Sequence, residues 1–436
     1  MEILLVCAYT IIFLLIIRYS SFFRFQEFGF KIIASLFIIK IIAGLALYAI
    51  YAYYYNNREE ADIFKYYDDS EVLFSALSDN PLDFLRMLTG YESDLPHLSK
   101  YYEQMGFWIK PFDYELYNDN QTVIRFNTLI RLFSFGCYNV HMVFMNFISF
   151  TGLILILKTI LPYFKGKKYE ALFSVFLVPS VLLWTSGVLK EGILMLGIGM
   201  FVYFIFSILK KITIERIAGI LFSVLIMLVM KFYVLFAMIP GALSVIFIRL
   251  FPKVNQWLIA GIIHIVIVTL FFNSSVFSSY DLPKIISDKQ HDFITMINES
   301  DNVGSRIDIP VLEPNLISFI KNGPVAIFNV MLRPMPGDLN SMVMIPALFE
   351  NILIWLIIIL AIIFRKREIP AEYIPFIIFS FSYVLFLFVL SGLTTPVIGA
   401  LVRYKAPALP FLIAVLLILT DKDKILRYLK LKRKEQ

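Results

Sequence analysis

The sequence predicts an all-α integral membrane protein with about eleven transmembrane helices, a single polytopic domain over residues 1–436. Three observations carry that prediction. Apolar residues make up 59% of the chain and charged residues only 17%, with a mean hydropathy of +0.78, and no water-soluble core hides that much hydrocarbon. Apolar runs of about 18–25 residues, enough to cross roughly 30 Å of hydrocarbon as a helix, recur from end to end. Lys and Arg gather on the short connections between alternate runs, the mark of cytoplasmic loops.

The expected spans are 2–17, 33–55, 138–160, 169–187, 192–209, 217–231, 232–249, 256–272, 341–364, 371–391 and 405–420. The first has no basic leader and no small-residue cleavage site before Arg18, so it reads as a retained span. The sixth and seventh share the run Ile217 to Phe251, split by Lys231 and interrupted by Pro240, and a single bent element is the alternative. With the N-terminus outside, the Lys165 to Lys168 group, the Arg365-Lys366-Arg367 triplet and the tail from Lys422 fall inside, as do Arg18, Arg24 and Lys31. The segments 56–137 and 273–340 then become two large outer loops. Asn56 to Asn120 hold 14 Asp and Glu against 5 Lys and Arg, which agrees with that side. The expected location is the cytoplasmic (inner) membrane, in multi-pass form, with the lipid bilayer as solvent.

Other signals narrow the classes. The net charge of +6 raises the question of nucleic acid, but the basic residues flank spans, so none is expected as a partner. Cys7 and Cys137 have no ligand spacing, and the four histidines form no local pair. In the first outer loop, Asn120 to Phe135 sets Val123, Phe126, Ile130 and Phe133 on one side and Arg125, Asn127 and Arg131 on the other. That pattern predicts an amphipathic helix lying along the membrane surface. Tyr51 to Tyr55, Tyr101, Tyr102 and Trp108 read as an interfacial aromatic belt.

Four polar segments are candidates for chemistry. The acidic stretch Asn56 to Ser70 contains Asp62, Asp68 and Asp69. Carboxylates at a cavity mouth can accept a proton or ligate a divalent ion, and a solvated acidic loop is the alternative. Asp62 and Asp69 lie seven residues apart, on one face if helical. Lys190-Glu191 follows the turn Pro179 to Gly187, where Lys190 either meets a substrate phosphate or pairs with Glu191. Arg333-Pro334 precedes a span bearing Glu350-Asn351, and an ionised Glu350 inside a span requires a polar cavity or a helix-to-helix bond. Arg403 and Lys405 lead into the last span and could grip a phosphate or bulk headgroups. Lys40 is expected to snorkel from the inner end of its span.

Taken in order, Asp62, Tyr66, Asp68 and Asp69, then Pro179-Ser180 to Trp184 with Lys190-Glu191, then Arg333-Pro334 with Glu350-Asn351, then Arg403-Tyr404 to Pro410, resemble polytopic bacterial envelope glycosyltransferases of the GT-C superfamily. The likeness spans most of the chain in short, degenerate motifs. It implies a GT-C-like fold and transfer of a sugar from a polyprenyl-phosphate-linked donor to a glycan, lipid or protein acceptor, with the active site facing the periplasm or outside. It also implies Asp62, then Asp69, with Asp68 beside them, as base or metal ligand for Mg or Mn, and Lys190, Glu191, Arg333, Glu350, Arg403 and Lys405 around the lipid phosphate. In this chain the acidic loop follows the second span instead of the first, which leaves the choice of base open. A polymerase or ligase of lipid-linked surface polysaccharide would use the same architecture without a metal. A lipid or solute transporter or flippase is the non-enzymatic alternative.

Overall fold

The computed structural model describes residues 1–55, 58, 61–110, 117–299 and 305–434, with side chains up to 428. Of the acidic stretch, Asn56, Asn57, Glu59 and Glu60 lie outside the described residues. In chain order the helices are α1 (Glu2–Tyr19), α2 (Phe30–Ala49), α3 (Asp62–Asp79), α4 (Pro81–Thr89), α5 (Ser99–Tyr102), α6 (Asp119–Ser134), α7 (Tyr138–Ile160), α8 (Lys168–Phe176), α9 (Pro179–Trp184) and α10 (Lys190–Ile208). They continue as α11 (Ile214–Leu250), α12 (Gln256–Phe272), α13 (Ser274–Phe277), α14 (Leu282–Asn298), α15 (Leu316–Leu332), α16 (Ile345–Ile363), α17 (Ile374–Thr394), α18 (Ile398–Lys405), α19 (Leu409–Leu419) and α20 (Lys422–Lys434). Among the described residues, β structure is confined to isolated bridges at Arg306–Val397 and Arg365–Thr420. Lipid offers no partner for backbone groups, so a chain this apolar satisfies them within helices.

Among the described residues, eight helical segments are long and apolar enough to cross a bilayer: Glu2–Tyr19, Phe30–Tyr54, Tyr138–Tyr163, Lys190–Ile208, Ile214–Leu250, Met342–Ile363, Ala371–Thr394 and Ile398–Leu419. The chain is a multi-pass, all-α membrane protein. Departures from the expected spans have local causes. Residues 169–187 form the short helices α8 and α9, because Pro179 lacks an N–H and biases Val178 away from the helical region. The 37 residues of α11 would measure about 55 Å, far more than one crossing needs, and Lys231 interrupts them with φ −151° and ψ 86°. The apolar helix α15 lies where the sequence placed the second outer loop, and α12 and α15 are shorter than the eight.

The chain forms two compact units, 1–159 with 182–232, and 160–181 with 233–436. In the first, α1 packs on α2, and α3 packs on α4 and α6. Phe13 of α1 stacks on Phe147 of α7 at 4.2 Å. The backbones of α7 and α10 touch: a Cβ on Gly199 would sit 2.2 Å from the Gly152 carbonyl oxygen, and one on Gly152 would sit 2.3 Å from that of Met195. Small residues permit such approach in lipid. Gly152→Ala should therefore push the two helices apart and destabilise the protein by about 1–3 kcal/mol, read as a lower melting temperature in detergent; unchanged melting would contradict the contact. In the second unit, α17 packs against α12, α14, α15 and α19, and α8 packs against α19.

Candidate functional site

A broken helix organises the polar interior of the first unit. Between α9 and α10, Thr185 to Leu189 are non-helical yet buried, a conformation hydrocarbon tolerates only where protein supplies the missing partners. The Lys40 ammonium donates to the Thr185 carbonyl at 3.1 Å, to Thr185 Oγ1 at 2.8 Å and to Ser186 Oγ at 3.0 Å. Ser149 Oγ donates to the Thr185 carbonyl at 2.7 Å, and Asn146 Nδ2 to that of Ser186 at 2.8 Å. Lys40 therefore does not snorkel. It lies mid-way along α2 with no exposure, and its three protons meet three acceptors on the break.

The break delivers the first turn of α10 to a cluster of charges. Successive helical residues point about 100° apart, so Lys190 and Glu191 take different partners and do not pair with each other. Lys190 Nζ lies 2.5 Å from Asp119 Oδ2, and Asp119 Oδ1 also pairs with Lys110. Glu191 Oε1 accepts from Lys231 Nζ at 2.7 Å, with side-chain exposures of 0% and 8%. The extended backbone at Lys231 is what interrupts α11 at this contact. Tyr66 lies beneath Lys190, its ring 5.8 Å from the ammonium, and donates to Asn120 Oδ1 at 3.2 Å. Burial pushes the Asp119 carboxyl up, but the ammonium groups of Lys190 and Lys110 outweigh it and hold it below the usual carboxylate range. Lys110, Lys190 and Lys231 thus bring three ammonium groups to the first turn of α10, paired with the carboxylates of Asp119 and Glu191.

That depression has a sign. An acid whose folded pKa is lowered contributes stability above its unfolded value, about 3.9 for Asp, and that stability is lost as pH falls through the folded value. Asp119→Asn should therefore lower the melting temperature at neutral pH and flatten its decline below about pH 4. Parallel melting curves for the two proteins across that range would contradict the assignment.

The α3 carboxylates are arranged differently from expectation. Both oxygens of Asp69 accept backbone amides, Gly106 at 2.8 Å and Phe107 at 2.7 Å, so this side chain fastens the loop before α6. Its burial outweighs those amides and raises its carboxyl above the ordinary value. Asp68 pairs with Arg58 at 2.5 Å, and burial raises it despite that guanidinium. Asp62 opens α3 and is half-buried. Seven residues of helix separate Asp62 from Asp69 by about 10.5 Å, whereas ligands of one ion sit within about 2.6 Å of it. Among the described residues no three His, Cys, Asp or Glu are grouped to hold a metal ion. The described carboxylates do not fit the Mg or Mn site that the resemblance implies on Asp62 and Asp69.

The helix α6 forms as expected, but its two predicted sides are mixed: Val123 and Ile130 are buried together with Asn127 and Arg131, and Phe133 is exposed. Its side facing α3 buries Asn120, Val123, Ile124, Asn127, Thr128, Ile130, Arg131 and Ser134, while Leu129, Leu132 and Phe133 are exposed. Buried polar groups of α6 find partners on α3. Arg131 donates to Ser70 Oγ at 2.8 Å and to the Tyr67 carbonyl at 2.7 Å, and lies over the Tyr67 ring at 4.2 Å. The expected aromatic belt divides likewise: Tyr53, Tyr54 and Tyr55 are exposed, whereas Tyr101 and Trp108 are buried, and Trp108 stacks on Tyr102 at 4.8 Å.

In the second unit the predicted residues meet at helix ends. Glu350 accepts from the Ser180 amide at 2.5 Å and from its hydroxyl at 2.8 Å. Lys405, fully buried, donates to Asn351 Oδ1 at 2.6 Å and to the Val330 carbonyl at 3.3 Å. Asn351 Nδ2 donates to the carbonyls of Leu332 at 3.1 Å and Pro334 at 3.2 Å, and Trp355 Nε1 to that of Met331 at 3.3 Å. These contacts satisfy the orphan carbonyls at the C-terminus of α15, where a cation is also favoured by the helix dipole. Arg333, the cap residue of α15, pairs with Asp338. Arg403 is half-buried in the last turn of α18.

Of the predicted residues, the structure joins Lys190 and Glu191 to one charged cluster of the first unit and gathers Glu350 with Asn351, Lys405 and Arg333 around helix ends in the second. Asp119, Lys110 and Lys231 complete the first cluster without having been singled out as site residues. Their signals were slight: Asp119 immediately precedes the amphipathic pattern, and Lys231 splits an apolar run. Chemically, this cluster gathers ammonium groups that can meet an anionic group at the end of a span. The chain matches no protein-family model, no curated protein and no solved structure.

Proposed function

We propose that the protein is a GT-C-like membrane glycosyltransferase that moves a sugar from a polyprenyl-phosphate-linked donor to an acceptor at the outer face of the cytoplasmic membrane. The observation carrying this reading is the cluster of Lys110, Asp119, Lys190, Glu191 and Lys231, whose three ammonium groups at the first turn of an apolar helix suit a phosphate anchored in the bilayer by its lipid. Each lysine has three donor protons, so a phosphate can be held while the ion pairs persist. Asp62, half-buried at the start of α3, is the proposed base for the acceptor hydroxyl. The proposed topology counts α11 as two crossings divided at Lys231, α8 with α9 as one and α12 as one, with 56–137 and 273–340 outside. The test is turnover by purified protein in liposomes across a panel of polyprenyl-phosphate sugars. Turnover of pyrophosphate-linked donors alone would favour the polymerase or ligase form of the same transfer, and no binding or consumption of any donor would sink both.

One observation favours transport as a second reading. Discontinuous helices with buried polar backbone are common at transporter binding sites, and α9 and α10 are separated by such a break. Its carbonyls at Thr185 and Ser186 are, however, engaged by Lys40, Ser149 and Asn146. Counterflow of a labelled lipid or solute through liposomes, without donor turnover, would select this reading.

A further inference from the structure

The second unit carries a feature that the transfer chemistry does not use. Three basic segments far apart in sequence, 164–170, 364–372 and 420–428, are stitched into one platform. The Lys366 amide donates to the Leu419 carbonyl at 2.9 Å, and the Asp421 amide to that of Phe364 at 2.7 Å. Lys167 Nζ reaches the carbonyls of Leu417 at 3.0 Å and Thr420 at 2.5 Å, and Lys424 Nζ that of Arg365 at 2.6 Å. Lys422 pairs with Glu170 at 2.8 Å. The three segments hold nine Lys or Arg against five Asp or Glu, a balance of +4.

Two details say what this platform faces. Among the described residues, the exposed side chains of Arg365 and Arg367 have no ion pair or hydrogen bond, so their guanidinium groups are available to an external anion. The helix α20 begins three residues after the apolar α19 ends, which keeps it at the boundary of the bilayer, and it exposes Leu426 and Tyr428 among its cations. Exposed apolar side chains interleaved with Lys and Arg suit insertion at a headgroup layer, whereas a soluble polyanion would meet only the charge.

We propose that this platform is a binding site for anionic phospholipid headgroups of the leaflet at which α19 ends, with Arg365 and Arg367 as the phosphate contacts. Guanidinium presents a planar fork to a phosphodiester, and the backbone stitching fixes both arginines to the end of the span. The proposal is independent of the glycosyltransferase reading.

The test is native mass spectrometry of the full chain released from nanodiscs containing equal phosphatidylglycerol and phosphatidylcholine at 0.15 M salt. The wild type should retain about tenfold more phosphatidylglycerol, a preference expected to shrink as salt screens it. In the double variant Arg365→Gln/Arg367→Gln, which removes no contact of the fold, the preference should fall to about twofold or less. Equal retention of both lipids by the wild type, or an undiminished preference in the variant, would overturn the proposal. So would displacement of the retained lipid by a short oligonucleotide at equal phosphate, which would make the platform a general polyanion surface.

Discussion

Lys231→Met is expected to destabilise the protein by about 3–5 kcal/mol, the usual consequence of removing one partner from a buried ion pair. The Glu191 side chain that remains has no exposure, and the ammonium 2.7 Å from it would be gone. The double variant Glu191→Gln/Lys231→Met should recover most of the loss, because the same desolvation that makes an ionised carboxylate costly no longer applies to a neutral pair. The measurement is thermal and denaturant unfolding of all three proteins in one detergent. If the single and double variants are equally unstable, the pair is not coupled, and the cluster on α10 is not the electrostatic unit described here.

The second large effect concerns chemistry. Asp62→Asn should lower sugar transfer by about 10²–10⁴-fold with donor binding retained, since a positioned base contributes that much to the transition state and little to the ground state. Lys190→Gln should act in the opposite sense. It removes a cation 2.5 Å from Asp119 and should weaken donor binding by about 10–100-fold, the scale of a charge-assisted bond, with a smaller change in the maximal rate. Steady-state kinetics separate the two. Full activity in Asp62→Asn would remove it as the base, and an unchanged KM in Lys190→Gln would remove the lysine from the phosphate site.

The sequence made the membrane architecture readable because lipid enforces it: apolar runs of spanning length are hard to mistake, and most become long helices such as α7, α10 and α17. Where it misled, a local choice depended on partners distant in the chain. Pro179 could be seen, but not that Thr185 and Ser186 would be satisfied by Lys40 about 145 residues earlier. The amphipathic pattern of α6 was visible, yet which of its residues are buried depends on α3, whose Ser70 and Tyr67 give Arg131 an interior partner. Lys190 and Glu191 stood out as a pair of charges at the head of a span. Their actual counterparts, Asp119 and Lys231, could not be chosen from the many acidic and basic residues without coordinates, because Coulombic pairing depends on separation in space and carries no mark in sequence. For the same reason Asp69 read as a base, although its two oxygens hold the loop at Gly106 and Phe107.

The most direct test is equilibrium binding of a radiolabelled polyprenyl-phosphate sugar to the purified protein in nanodiscs, compared among the wild type, Lys190→Gln and Lys110→Gln. We expect saturable binding that each substitution weakens by about tenfold or more and that high salt diminishes. Binding of equal strength in all three proteins, or none in the wild type across the donor panel, would contradict the assignment of this lysine cluster to a lipid-linked phosphate.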